Sequence, residues 1–173
     1  MVEKLIAQLF LMIIVLAGCA TVDVHQPIQR YRLFEQPVAQ RLSASVGSTV
    51  VRMNRQSDLP NIYGGKDIYG GKVDRGFVEV KLVSVSGEEL TLSVSDIHRQ
   101  SSETTMDRYV ARPSVNVSQT VSGSSSGREG LLVRLNAGNE KEYVVGGVKI
   151  TFREVRSSSV VYQIDDVTPV QNK

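Results

Sequence analysis

The chain has 173 residues, with 20 Lys and Arg against 18 Asp and Glu, one cysteine, two histidines and no tryptophan. That size fits one domain able to bury roughly two thirds of its unfolded surface without a disulfide or a metal as a staple. The net charge of +2 is dispersed along the chain, which argues against the dense basic stripe of a nucleic-acid binder, so no nucleic-acid partner is expected.

The first segment, MVEKLIAQLFLMIIVLAGC, carries Glu3 and Lys4 and then no charge from Leu5 to Gly18. An apolar run of this length falls short of the roughly 20 residues a bilayer span needs and has the proportions of a signal-peptide core. It ends in Leu16-Ala17-Gly18-Cys19, and here the chain resembles the bacterial lipoprotein signal family. The resemblance implies that Leu16, Ala17 and Gly18 are read by the signal peptidase. It also implies that the Cys19 thiol receives a diacylglycerol and that the new N-terminus receives an acyl chain. Residues 1–18 would then be a removed signal peptide, and their loss leaves the net charge at +2 because Glu3 and Lys4 leave together. Ala20, not aspartate, follows the cysteine, which by the same resemblance implies the outer membrane, with the domain facing the periplasm. No cofactor other than the covalent lipid on Cys19 is expected. A lipidated Cys19 leaves no thiol for a disulfide, a redox centre or a nucleophile.

Residues 19–38 mix polar residues with Pro27 and Pro37 and show no sustained period. They read as the lipidated cysteine and a flexible tether, with Tyr31, Leu33 and Phe34 able to dock its distal part on the domain. Residues 39–173 read as a single β-rich domain. In Leu42–Met53 small and apolar residues alternate around Gly47, read as a bulge. Val78, Val80 and Leu82 alternate at period two, as do Leu90, Leu92 and Val94, with Ser86-Gly87-Glu88 between them, and this predicts a hairpin. Leu131, Val133 and Leu135 predict another strand, closed by a turn at Asn136-Ala137-Gly138-Asn139. Gly146-Gly147 marks a two-residue hairpin turn between Tyr143–Val145 and Val148–Val155. Val160–Ile164 predicts the last strand, while residues 119–130, rich in serine and glycine, read as a mobile loop. The expected fold is all-β: a small antiparallel β-sandwich or barrel-like sheet of about seven strands.

Ile-Tyr-Gly-Gly-Lys occurs at Ile62–Lys66 and again at Ile68–Lys72. A phosphate-binding loop requires Gly, four residues, then Gly-Lys and Ser or Thr, and neither register of this stretch supplies all of them. Two successive Gly-Gly turns account for it structurally. In an extended chain the six-residue spacing would put Ile62 and Ile68 on one face and Tyr63 and Tyr69 on the other. Tyr63, Lys66, Tyr69 and Lys72 form the candidate docking surface, because tyrosine offers a large contact area at low entropic cost.

Catalytic patterns are weak. Asp96 and His98 would share a strand face, but a metal there would need Glu103 or Asp107 as well, and no metal site is expected. Glu88-Glu89 and Asp165-Asp166 are neighbours, which strands send to opposite faces, so neither is a facing pair of glycosidase carboxylates. Gly123-Ser124-Ser125-Ser126-Gly127 matches a nucleophile elbow in letters only. Arg30, Arg32, Arg41, Arg52 and Arg55 read as a solvated face.

The chain is therefore expected not to be an enzyme. It is expected to be a membrane-anchored accessory or structural subunit of a cell-envelope assembly for secretion, transport or a surface structure, with an envelope protein as partner. The rival expectation is a lipid-anchored binding module for peptidoglycan or another envelope glycan or lipid.

Overall fold

The computed structural model describes residues 25–110, 123–138 and 141–167. Their strands are β1 (Arg30–Phe34), β2 (Arg41–Ser45), β3 (Thr49–Asp58), β4 (Lys72–Ser86), β5 (Glu89–Ser101), β6 (Gly123–Asn136), β7 (Glu142–Val145), β8 (Val148–Arg156) and β9 (Ser159–Asp166). A single helical turn, α1 (Thr105–Tyr109), lies between β5 and β6. The strands form two antiparallel sheets, one ordered β1-β3-β4-β5-β6 and the other β2-β9-β8-β7. The fold is an all-β sandwich, with nine strands among the described residues against the seven or so expected.

Alternation explains the core. Val78, Val80 and Leu82 of β4 and Leu90, Leu92 and Val94 of β5 turn inward, and the hairpin closes at Gly87-Glu88. From the other sheet come Val148, Ile150 and Phe152 of β8 and Val160, Tyr162 and Ile164 of β9. The Tyr162 hydroxyl donates to the Val50 carbonyl at 2.6 Å, a buried bond that ties one sheet to the other. Desolvation raises the Tyr162 pKa, which keeps this group a donor.

Three expectations are corrected. Leu42–Met53 is not one bulged strand: the chain leaves β2, turns at Gly47 (φ +88°) and enters β3 in the opposite sheet. The irregularity in register lies instead between Thr49 and Val51, where consecutive Val50 and Val51 are both fully buried. The distal part of the tether docks on the domain as expected, but it does so as a strand and not as flexible chain, since residues 30–34 pair with β3 as strand β1. Finally, the Ser/Gly segment is strand from Gly123 onward, paired with residues 96–101 of β5; residues 119–122 lie outside the described residues. Ladder hydrogen bonds need only the main chain, so serine and glycine can extend an edge strand that alternation of apolar side chains does not announce.

Candidate functional surface

The repeat between β3 and β4 is longer than its five matching letters. Asn61 precedes the first copy and Asp67 the second, and each heads the same turn. Asn61 Oδ1 accepts the amides of Tyr63 at 2.8 Å and Gly65 at 3.0 Å. Asp67 accepts those of Tyr69 at 3.2 Å and Gly71 at 2.8 Å. Side-chain acceptors two and four residues ahead of their donors are Asx turns. Gly64 (φ +86°) and Gly70 (φ +77°) supply the left-handed residue in each copy. Gly71 has a further reason: a Cβ there would stand 2.7 Å from Asp67 Oδ2 and 2.9 Å from the Tyr109 hydroxyl.

The double turn is fastened to the domain. Leu59, fully buried, donates its amide to Gly71 and accepts that of Asp67 at 2.8 and 2.7 Å. The helical turn α1 braces the second copy: the Thr105 amide donates to the Pro60 carbonyl at 2.9 Å, and its hydroxyl to Asp67 Oδ1 at 3.3 Å. Tyr109 meets Tyr69 edge to face at 5.4 Å.

What remains outside is apolar. Tyr63 is 64% and Tyr69 72% exposed, and Ile62 and Ile68 are each 56% exposed. The expected division of the two isoleucines and two tyrosines between opposite faces does not hold, because the chain reverses within each copy rather than running extended. Tyr109 of α1, which meets Tyr69, is exposed as well, and so is Met106 of the same helical turn. The two lysines part company. Lys66 lies half-buried between the copies, with its amide bonded to the Gln26 carbonyl at 2.8 Å. Lys72 is turned away, ion-paired with buried Asp58 and standing 3.8 Å over the Tyr31 ring. Sequence reading missed Asn61, Asp67, Met106 and Tyr109; the first two were visible as an Asx residue opening each copy.

Truncating Asp67 leaves the amides of Tyr69 and Gly71 without their side-chain acceptor, while the Thr105 hydroxyl keeps the Pro60 carbonyl at 3.3 Å. Asp67→Ala is expected to cost about 1–3 kcal/mol. Hydrogen exchange at Tyr69 and Gly71 should accelerate, while the amides of β4 and β5 keep their order of protection.

The Asp96–His98 candidate sits beside an open cleft of about 310 Å³ whose lining includes Val94, Leu131, Val145, Arg128 and Tyr143. His98 Nε2 is 3.4 Å from Asp96, but the carboxylate is held by Arg55 at 2.7 Å. Arg55 also reaches the Gly146 carbonyl at 3.5 Å, so it links β3 to the β7–β8 turn of the other sheet. Glu103 is taken by Arg108 at 2.6 Å and Asp107 accepts from Thr104 at 2.8 Å, so the sequence candidates do not converge on Asp96. Among the described residues no three His, Cys, Asp or Glu side chains gather as a metal site. Burial raises the Tyr143 pKa in this cleft, opposed by the positive charge of Arg128. Ser125, the central serine of the elbow-like letters, lies opposite Arg99 in the β5–β6 register, within a strand pair and not at the strand-to-helix turn an elbow requires. Asp166 is ion-paired with Arg32, Asp165 accepts from Gln163 at 3.0 Å, and Glu88 and Glu89 are exposed at the β4–β5 turn. Leu16, Ala17, Gly18 and Cys19 lie outside the described residues.

Comparisons with protein-family models, curated proteins and solved structures find no match to this chain. The class defined by the fold is an all-β sandwich, carrying an apolar double-turn surface at the β3–β4 connection.

Proposed function

We propose that the chain is a lipoprotein anchored in the outer membrane through Cys19, acting as a non-catalytic accessory subunit of a cell-envelope assembly. The observation that carries this reading is the edge of the larger sheet. Among the described residues β6 pairs only with β5, leaving an edge of 14 residues on which Leu132 is 62% exposed. Arg128, Glu129 and Arg134 charge this strand, and its main chain, unpaired on the outer side among the described residues, suits an extended segment of a partner added as a further strand. The acyl chains would confine the domain to two dimensions and raise its effective concentration near other membrane components.

Crosslinking and capture of the tagged, lipidated protein from intact envelopes tests this, beside Cys19→Ser and Leu132→Lys. A defined set of envelope proteins, retained by the wild type and lost by both variants, is the expected result. Capture of no protein overturns the reading. Co-sedimentation with purified cell-wall sacculi would then favour the alternative, a lipid-anchored module for peptidoglycan or another envelope glycan.

A further inference from the structure

We propose that the double-turn surface faces the bilayer, with Ile62, Tyr63, Ile68 and Tyr69 seated in the headgroup layer as a second anchor beside the acyl chains. The inference rests on the lipidation of Cys19 proposed above and assigns a ligand to a surface that reading leaves unused.

Chain reach is the first argument. The Gln26 carbonyl is pinned to the Lys66 amide, between the two copies of the turn. Gln29 is pinned next, accepting the Asp58 amide at 2.9 Å and donating to its carboxylate at 2.9 Å. Cys19 stands seven positions before Gln26, so a fully extended chain separates them by at most about 25 Å. Thus a lipid on Cys19 keeps the double turn close to the membrane surface. The β4–β5 turn lies at the far end of β4, which starts at Lys72 beside the double turn and ends at Ser86; at the strand rise the two ends are separated by at most about 46 Å. A domain tethered at Gln26 therefore has a near end and a far end relative to its lipid.

Chemistry is the second argument. Tyrosine suits the membrane interface, where its ring meets acyl carbon and its hydroxyl meets water and headgroups. Two tyrosines and two isoleucines project here from one rigid connection, and Lys66 between them offers a cation to lipid phosphate. The Asx turns already hold the backbone, so seating these side chains orders little additional chain.

The chain has no tryptophan, so one introduced indole is a unique reporter. The lipidated full-length protein carrying Tyr69→Trp is reconstituted into phosphatidylcholine–phosphatidylglycerol vesicles with plain or brominated acyl chains, and Glu88→Trp at the far end serves as the control. The expected result is that brominated lipid quenches the Tyr69→Trp emission, which also shifts to the blue, while the Glu88→Trp emission is the same in both vesicles. If the Tyr69→Trp protein floats with the vesicles and carries the lipid mass on Cys19 yet is not quenched, this inference falls, lipidation stands, and the surface is left for a protein. Equal quenching at both positions also overturns it. A protein with no lipid mass on Cys19 that does not float overturns both readings.

Discussion

Gly76→Ala is expected to destabilise the domain by about 3–5 kcal/mol, a large part of what a domain this size has to lose. Gly76 lies within β4 at φ +98°, outside the region where side chains are tolerated even as strained residues. A Cβ there would stand 1.9 Å from the Ile97 carbonyl oxygen, a backbone atom of the paired strand β5. No rotamer relieves that contact, so β4 and β5 must separate where Gly76 opposes His98. From the other side of β5, Gly127 of β6 (φ +136°) would bring a Cβ equally close to the Asp96 carbonyl oxygen. Three strands are thus drawn together at Asp96–Ile97, the place where Arg55 reaches Asp96 Oδ1 and the Ile97 carbonyl. The matched control is Gly87→Ala at the β4–β5 turn, where φ is +61° and a Cβ would meet nothing within 4 Å. Only the left-handed conformation is penalised there, at about 1–2 kcal/mol. Urea unfolding of both variants checks the prediction; equal losses would show that the close approach carries no energy.

Asp58→Asn is expected to cost about 2 kcal/mol at neutral pH and to flatten the acid side of the stability profile. Asp58 is buried at the end of β3, and its two oxygens face donors only: the Gln29 amide at 2.9 Å, the Tyr31 hydroxyl at 3.0 Å and the Lys72 ammonium. An asparagine must aim its own NH₂ at one of these donors, so one bond is lost and a repulsion takes its place. Burial pushes the Asp58 carboxyl upward, but the hydrogen bonds from Lys72, Gln29 and Tyr31 outweigh it, and the net shift is downward. A carboxylate with a lowered pKa in the folded state contributes fully above its ordinary value of 3.8 and loses that contribution as pH falls through the lower folded value. Lys72, raised chiefly by its hydrogen bond to Asp58, runs the other way: its contribution holds below the ordinary 10.5 and is lost as pH rises through the raised value. Unfolding free energy across the acid range should therefore fall more steeply in the wild type than in Asp58→Asn. Parallel acid limbs would refute the assignment. Because Asp58 fastens Gln29 and β1 to the domain, the same variant should also expose residues 25–34 to faster hydrogen exchange.

The elements legible in the sequence were those whose information is local. Val78, Val80 and Leu82 against Leu90, Leu92 and Val94 define a hairpin by period and turn alone, and Gly146-Gly147 (φ +55° and +79°) defines another. The all-β class follows from such segments. The Asx turns were legible too, had the repeat been read from Asn61 and Asp67 instead of from the isoleucines.

The tertiary structure decided matters that depend on which distant chain arrives. Nothing local in Leu42–Met53 says that its halves belong to opposite sheets; β2 is drawn to β9 and β3 to β4. The serines of β6 become strand because β5 runs past the core and offers main-chain partners, which are blind to side-chain identity. Lys72 looked like half of a repeated exposed pair with Lys66, yet Asp58 and Tyr31 capture it while Lys66 stays between the turns. The amino-acid sequence thus determined where the chain alternates and where it turns, since side-chain period and left-handed glycines act over a few residues. Partner choice across the sandwich, and with it the outward face of the double turn, was set by long-range hydrogen bonds and buried charge that no short window contains.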